Sequence, residues 1–308
     1  MTGGAGGTNR AAIVLAGGDG TRLRDLTCRI AGRYVPKQFC PLLGRSTLLE
    51  QTLERVSLAV APEHTWTVVN CRHECFYAPL LRHLSRSRLV EQPDNRGTAV
   101  AILYALLRMA QIAPQAAVAL FPSDHFFDDD AGFMRHVEHA FEAVEQRPEQ
   151  TVLLGIEPDH PEPGYGWIER GSPLSGHQRE IFRVRRFWEK PPTQIAAELM
   201  ARGCLWNSFV MVGRLSTLLS LIIVAQPELY AAFRPIRAEL GKRREQACVR
   251  ALYTRLASHD FSAQILARHP ANLAVLPVHG VAWSDLGEPQ RVMETLLQIG
   301  VQPRWASA

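Results

Sequence analysis

AAIVLAGGDGTRLRDLTCRIAGRYVPKQF, residues 11–39, is the segment from which the architecture of this chain can be inferred. It opens with a short apolar run, residues 11–15, whose β-branched centre is typical of a buried parallel strand. Three glycines follow within four positions, so the backbone can turn sharply and bring its N–H groups close to a ligand. A strand that runs into such a loop often cradles phosphate groups.

Two cationic side chains follow this loop. Arg22 comes directly after it and Lys37 comes after Pro36, and both residue types suit anionic oxygens. The P-loop pattern GxxxxGK[ST] is absent, and the dinucleotide pattern GxGxxG is incomplete because Leu23 occupies its third glycine position. A glycine loop alone often marks only a tight turn, but Arg22 and Lys37 together favour a nucleoside-phosphate site.

Composition narrows the class of protein. The chain has 308 residues, of which 46% are hydrophobic and 21% charged, and this is enough for a full globular core. A net charge of +4 suits anionic small molecules but gives no case for a nucleic-acid partner. The apolar run at residues 215–225 is too short and too interrupted by serine and threonine to span a bilayer, so no membrane partner is expected.

The ends and the cysteines add further expectations. Residues 1–10 lack the apolar centre of a signal peptide and are predicted to be a disordered leader. The six cysteines are scattered, and only Cys71 and Cys75 are close, which indicates reduced thiols and a cytoplasmic location rather than a metal site. No linker divides residues 11–308, so we predict one domain there.

Strand and helix patterns alternate along the chain, which predicts an α/β fold with a mostly parallel sheet and helices on both faces. Segments 164–168 and 182–188 are expected to be extended and antiparallel. In such sheets ligands lie at the carboxyl ends of the strands, which would bring residues 17–20, residues 92–98 and Asp124 to one rim. The principal predicted strands are 11–15, 66–70, 116–121, 151–156, 205–212 and 273–276, and the predicted helices are 48–58, 79–85, a helix ending at 109, 133–144, 195–200, two or three within 215–250, and 291–299.

Further polar residues are candidates for the site. Asp124 follows a buried strand and Asp285 lies in the loop WSDLG, and two such carboxylates would suit Mg²⁺, although each could instead cap a turn or a helix. Lys190, fixed by the following proline, could reach a second phosphate, Glu189 could accept hydrogen bonds from sugar hydroxyls, and Asn207 could bind hydroxyls or form a turn. The GxSxG and HExxH motifs are absent, which leaves positioning and charge neutralisation, as in phosphoryl-type transfer.

Seven segments together make the chain resemble the sugar-1-phosphate nucleotidyltransferases, and most closely the mannose-1-phosphate guanylyltransferases. They occur in the family's order and span nearly the whole chain. The segments are LAGGDGTRL at 15–23, PKQF at 36–39, FPSDH at 121–125, GYGWI at 164–168, EKP at 189–191, WNS at 206–208 and WSDLG at 283–287.

The resemblance implies a Rossmann-like nucleotidyltransferase fold with a small antiparallel sugar-binding subregion, and the reaction GTP + mannose 1-phosphate → GDP-mannose + pyrophosphate. Carried over by position, the catalytic residues would be Arg22, Lys37, Asp124 and Lys190, with Mg²⁺ held by Asp124 and Asp285. The sugar phosphate would be bound by Gly166, Glu189, Lys190 and Asn207. The nucleotide would be bound by Leu15, Ala16, Gly17, Gly18, Gly20, Thr21, Arg22, Gln92, Gly97 and Thr98.

Three departures from the family pattern bear on these expectations. The family's usual order glycine-arginine-asparagine-threonine is here Asn95-Arg96-Gly97-Thr98, which bears on base selection. Phe209 stands where the family has glycine after Ser208, which bears on the shape of the sugar pocket. The chain also leaves no room for the C-terminal β-helix or isomerase domain of some relatives, and a homodimer is left open.

Two rival functions remain. The first is a uridylyl- or thymidylyltransferase that acts on another hexose 1-phosphate. The second is a catalytically silent protein that binds a nucleotide-sugar and regulates a partner. Retention of five charged residues argues against the silent protein, because a sensor could lose them. These are Arg22, Lys37, Asp124, Lys190 and Asp285. A dehydrogenase is disfavoured by the incomplete dinucleotide pattern.

Overall fold

The computed structural model describes residues 9–174, 180–303 and 305, and it places nine strands of this part of the chain in one mixed sheet. The strands are β1 (Arg10–Ala16), β2 (Thr65–Asn70), β3 (Leu89–Gln92), β4 (Ala117–Pro122), β5 (Phe126–Phe127), β6 (Thr151–Ile156), β7 (Gly166–Pro173), β8 (Phe182–Glu189), β9 (Leu205–Arg214), β10 (Leu273–Val278) and β11 (Trp283–Ser284). The α-helices are α1 (Arg24–Ala31), α2 (Leu48–Ser57), α3 (Glu74–Leu81), α4 (Thr98–Met109), α5 (Asp130–Gln146), α6 (Thr193–Ala201), α7 (Leu215–Ala225), α8 (Pro227–Phe233), α9 (Glu245–Tyr253) and α10 (Pro289–Gln298).

The apolar run that opens the chain forms a central strand, as predicted. β1 pairs in parallel with β2 on one side and with β4 on the other, and the strand order across the sheet is β3-β2-β1-β4-β9-β6-β10-β8-β7. The strand begins at Arg10, so the predicted leader overlaps it by one residue. The carbonyl of Asn9 accepts from Ala117 N–H at 2.9 Å, and residues 1–8 of that prediction lie outside the described residues. The glycine loop therefore leaves the carboxyl end of β1 at the centre of the sheet.

The sheet changes direction at β9, which runs antiparallel to both β4 and β6. β7 and β8 form the predicted antiparallel pair, and β7 also pairs with β9, where Trp167 lies opposite Trp206. The sequence did not reveal the direction of β9, because a strand buried on both faces shows a continuous apolar run whichever way its neighbours point. The sheet is accordingly mixed, with antiparallel strands where sugar binding was predicted.

Helices cover both faces of the sheet. One core layer joins Val14 of β1 to Leu49 of α2 and Phe141 of α5. The other joins Ile13, the preceding residue of β1, to α4, α7 and α9, and includes Leu218. Alternate residues of one strand thus feed two separate cores, which is the layer arrangement expected of an α/β fold.

Two local predictions were wrong in their bounds. The helix predicted at residues 79–85 is α3, which starts five residues earlier and contains Pro79 near its end. Proline lacks an N–H donor and is therefore common in the first turn of a helix, but Pro79 lies in the last turns of this one. Within the loop predicted at residues 283–287, β11 pairs antiparallel with β5, and this short pair ties the segment after Asp124 to the segment before Asp285.

Among the described residues, no individual helix combines the length and apolar character needed to cross a membrane. Two consecutive helical segments, Leu215–Ala225 and Pro227–Glu239, reach that length and apolar character only when taken together, and the chain bends by 115° between them.

Candidate active site

The residues predicted to bind nucleotide and sugar phosphate converge on two adjoining cavities, whose empty space, including the part open to solvent, is about 1230 Å³ and 840 Å³. Both cavities share Asp124, His125 and Asp285 in their walls. The larger is also lined by Leu15, Gly17, Gly18, Gln92, Gly97, Thr98, Gly166, Glu189, Lys190 and Asn207. The smaller is also lined by Gly20, Thr21, Arg22 and Lys37. Of the predicted residues, Ala16 alone lines neither cavity, because it is buried within β1.

The glycine loop is held from beneath by Gln38, a residue that the sequence did not single out. Its amide Nε2 donates to the carbonyl of Ala16 at 3.0 Å and to that of Gly18 at 2.7 Å. Gly20 adopts a left-handed φ of 62°, and a Cβ there would lie 2.9 Å from the backbone N of Lys37. Only glycine fits this turn without strain, so the loop can lie against the lysine segment. The sequence feature that could have identified Gln38 is its position next to Lys37 in the PKQF segment.

The loop that precedes α4 is clamped by a segment more than 150 residues later. The backbone of His259 donates to the Arg96 carbonyl at 2.9 Å and accepts from Ala99 N–H at 3.0 Å. Gly97, with φ 85°, lies so close that a Cβ would approach the His259 carbonyl oxygen to 2.3 Å. Thr98 closes the clamp, since its Oγ1 accepts from Phe261 N–H at 2.8 Å. This brings Asp260 and Ser262 into the wall of the larger cavity, where no sequence motif had placed them.

Lys37 lies between the two predicted metal-binding segments. Its Nζ is 3.2 Å from a carboxylate oxygen of Asp124 and donates to the backbone carbonyl of Asp285 at 2.6 Å. The side chain is only 11% exposed, so these interactions are little screened by water. The lysine therefore joins the ends of the β4 and β11 segments and supplies a positive charge where both cavities meet.

Asp285 is held by Arg291, a second residue that sequence reasoning missed. Arg291 donates from Nη1 to Asp285 Oδ1 at 2.7 Å, and its Nη2 is 2.9 Å from Glu162 Oε1. Burial raises the pKa of Asp285, but the positive charges of Lys37 and Arg291 outweigh burial and hold the pKa below its ordinary value. Arg291 lies in the first turns of α10, six residues after the aspartate, and no local pattern marks it.

The donor set around Asp124 and Asp285 fits a hard divalent cation. Oδ1 of Asp285 is taken by Arg291 and by the N–H of Gly287 at 2.7 Å, whereas Oδ2 accepts no hydrogen bond from the described residues. Among the residues that the structure describes, no group of three or more histidine, cysteine, aspartate or glutamate side chains is arranged to hold a metal ion. Mg²⁺ is usually bound by one or two carboxylates together with substrate phosphates. Asp124 and Asp285 fit this arrangement, in which phosphates of the substrate would supply further ligands.

His125 is a structural neighbour of this centre and is uncharged at neutral pH. Burial lowers the pKa of His125 to about 4, so its Nδ1 can accept the hydrogen bond from Trp283 Nε1 at 3.2 Å. The two rings also pack edge to face, 5.3 Å apart. His125 thereby joins the end of the Asp124 segment to β11.

Arg22 also lines the smaller cavity. Its side chain is 59% exposed, and its Nη1 is 3.7 Å from Glu288 Oε1, which follows the Asp285 loop. Such an exposed pair contributes little to stability. The guanidinium therefore remains available to an anionic ligand in the cavity that it shares with Lys37 and the two aspartates.

The opposite end of the larger cavity contains the predicted sugar residues. A Cβ on Gly166 would meet Asn207 and Glu189 at 3.3 Å each, so glycine there leaves room between them. Burial raises the pKa of Glu189, against the lowering effect of Lys190, whose Nζ is 3.4 Å away. Asn207 Oδ1 accepts from Phe209 N–H at 3.1 Å, which leaves its amide N–H₂ to donate to a ligand.

Backbone strain is concentrated at this site. Among the described residues, positive φ angles at residues other than glycine occur at Lys190, Phe209 and Leu286, with φ of 47°, 62° and 46°. The first two line the larger cavity, and the third follows Asp285. Such conformations are unfavourable for residues with a Cβ and cluster at functional sites, so their position supports this cavity as the active site.

Comparisons with known proteins agree with this geometry. The family model described as nucleotidyl transferase matches residues 11–300. Mannose-1-phosphate guanylyltransferase RfbM of Salmonella typhimurium is 28% identical over 287 residues, which cover 89% of this chain and 56% of the relative. Xanthan biosynthesis protein XanB of Xanthomonas campestris is 32% identical over 298 residues, which cover 94% of this chain and 60% of the relative. The chain thus spans less than two thirds of the length of either relative.

Solved structures extend the comparison to the fold. A crystal structure from Thermus thermophilus, described as a mannose-1-phosphate geranyltransferase, superposes with a TM-score of 0.78 at 27% identity and covers 93% of this chain and 79% of that one. A structure from Helicobacter pylori, described as a mannose-6-phosphate isomerase, has a TM-score of 0.70 at 18% identity, covers 90% of this chain and 99% of that one, and supports the fold alone. Taken with the family match, these findings show that the chain belongs to the nucleotidyl transferase family.

Proposed function

We propose that this chain transfers a guanylyl group from GTP to mannose 1-phosphate and releases pyrophosphate. The observation that carries the proposal is the continuity of the site: the glycine loop, Lys37 and both aspartates adjoin the Glu189 and Asn207 end of the same cavity. Two phosphorylated substrates can therefore be bound side by side. The names of the relatives support mannose 1-phosphate and the guanine nucleotide.

The proposed reaction is an in-line displacement. A phosphate oxygen of the sugar phosphate attacks the α-phosphorus of the nucleotide, the bond from that phosphorus to the bridging oxygen breaks, and pyrophosphate leaves with that electron pair. A phosphomonoester carries a charge of about −1.5 to −2 near neutral pH, so the nucleophile needs no general base. The barrier is mainly repulsion between anions, and the residues must neutralise charge and align the reactants.

Each cationic residue would neutralise the charge of a different phosphate group, according to its position in the site. Lys37 is fixed between the aspartate segments and would meet the reacting phosphates, while the more exposed Arg22 would bind the triphosphate. Lys190 lies beside Glu189 and would bind the phosphate of the sugar. Mg²⁺, when held by Asp124 and Asp285, would supply further charge neutralisation. A homodimer stays a prediction, since only one chain is described.

The proposal is tested by a matrix of nucleoside triphosphates against hexose 1-phosphates, with released pyrophosphate as the readout. We expect the highest kcat/KM for GTP with mannose 1-phosphate and dependence on Mg²⁺. Asp124→Asn should abolish most activity in a folded protein, whereas Asp159→Asn, at an aspartate whose side chain is 84% exposed, should not. Preference for UTP or dTTP would overturn the guanylyl assignment, and binding of GDP-mannose without turnover would overturn the enzymatic one.

A further inference from the structure

Phe209 lies in an irregular part of β9, next to the predicted sugar residues. The register between β6 and β9 shifts there, so that the four-residue step from Asn207 to Met211 faces only the two-residue step from Gly155 to Leu153. Phe209 takes up the extra length with a φ of 62°. A residue with a Cβ is disfavoured in this left-handed conformation, and glycine would adopt it freely. A phenylalanine there indicates that its side chain serves a purpose.

The side chain contributes an apolar wall to the cavity, next to polar residues. Phe209 lines the cavity together with Asn207, Asp260 and Ser262. Its ring packs edge to face against Phe261, with 6.3 Å between centroids, and Phe261 is fully buried. The ring is therefore supported from behind by the segment that also clamps the loop before α4.

Two of the polar groups near this wall are carboxylates, which accept hydrogen bonds. Glu189 and Asp260 both present carboxylates to the cavity, close enough for the negative charge of Asp260 to raise the pKa of Glu189. Hydroxyl groups, which donate, suit such partners. A hydroxyl group is also small, whereas an acetamido group needs space that the phenyl ring occupies.

We propose that Phe209 determines which sugars are accepted: it narrows the sugar subsite to hexose 1-phosphates without a bulky substituent and excludes 2-acetamido hexose 1-phosphates. The inference rests on the proposed function and adds a specificity residue to it. The ring acts through its bulk, since it occupies the space that a glycine at this position would leave open.

The test compares kcat/KM for mannose 1-phosphate with kcat/KM for N-acetylglucosamine 1-phosphate, both with GTP, in the wild type, Phe209→Gly and Phe209→Leu. We expect the wild type to disfavour the acetamido sugar and Phe209→Gly to raise its relative kcat/KM by about tenfold or more. Phe209→Leu keeps apolar bulk on the same backbone and should stay close to the wild-type ratio. If the glycine variant does not fold, Phe209→Asn repeats the test, because asparagine also tolerates the left-handed conformation.

The outcomes separate the two proposals. An active wild type whose ratio is unchanged in the folded glycine or asparagine variant overturns the role of Phe209 but leaves the proposed function intact. Equal use of both sugars by the wild type also overturns it. Absence of pyrophosphate release by the wild type with every hexose 1-phosphate overturns the proposed function and the inference with it.

Discussion

The two ends of the candidate active-site cavity differ in the backbone conformations that position their residues. At the nucleotide end, parallel strands run into loops whose tight positions are glycines, Gly20 and Gly97, packed against backbone from elsewhere in the chain. At the sugar end, antiparallel strands place side chains at strained positions, Lys190 and Phe209. The difference indicates that the tight turns of the predicted nucleotide end depend on the absence of side-chain atoms, whereas the strained positions of the predicted sugar end retain side chains that line the cavity.

The largest expected effect is at Lys37, which serves both ends. Lys37→Met removes the ammonium group that contacts Asp124 and the Asp285 carbonyl, and we expect turnover to fall on the order of 10²- to 10³-fold, as for loss of one preorganised donor. Steady-state pyrophosphate release measures this. The matched control is Lys242→Met at an exposed lysine, which should behave as the wild type. Near-normal turnover of Lys37→Met would show that the two ends do not share a cationic centre.

The nucleotide end alone is tested by adding one carbon. Gly97→Ala forces a Cβ against the His259 carbonyl, so the loop must shift, and we expect the KM for GTP to rise roughly tenfold or more. The KM for the sugar phosphate should change little. Gly44→Ala, where a Cβ would meet no atom within 4 Å, is the control. An equal rise in both KM values would contradict the separation of the two ends.

A smaller effect is expected at Arg291, which connects Asp285 to the Glu162 segment that precedes β7. Arg291→Met should reduce kcat by about tenfold, the lower end of the range for residues that orient metal ligands. Arg291→Lys should rescue this only in part, because one ammonium cannot reproduce two directed guanidinium contacts. Exposed Arg268 provides the control substitution. Full activity of Arg291→Met at low Mg²⁺ would refute a positioning role.

The smallest effect concerns stability at the sugar end. Because burial raises the pKa of Glu189, its folded state holds the proton more tightly than its unfolded state. The free energy of unfolding therefore falls as pH rises from the pKa of Glu189 in the unfolded state, near 4.5, through its raised pKa in the folded state. At pH 7 the ionised Glu189 consequently destabilises the folded protein. Glu189→Gln should raise Tm at pH 7 by on the order of a degree or two, and the gain should vanish below the unfolded pKa, as thermal unfolding at several pH values would show. A lower Tm at pH 7 would contradict this sign.

Sequence reasoning recovered the residues whose signals are local. The glycine loop, Lys37 and Asp124 each follow an apolar strand or a short motif, and the carboxyl-end rule for α/β sheets was sufficient to bring them together. It missed Arg291 and the segment around His259. No motif links Arg291 to Asp285, six residues earlier, and the other partners, Glu162 and the loop before α4, lie more than 100 residues away. The strained φ of Phe209 likewise depends on the register shift in β9, which only the sheet reveals.

The decisive experiment is a crystal structure of the protein with GDP-mannose and Mn²⁺ in place of Mg²⁺, with anomalous scattering locating the metal. We predict guanine beside Gly97 and Thr98, mannose beside Glu189 and Asn207, and one anomalous peak in contact with both Asp124 and Asp285. Mannose outside the Glu189 end of the cavity, or a metal that contacts only one of the two aspartates, would contradict a single site shared by both substrates.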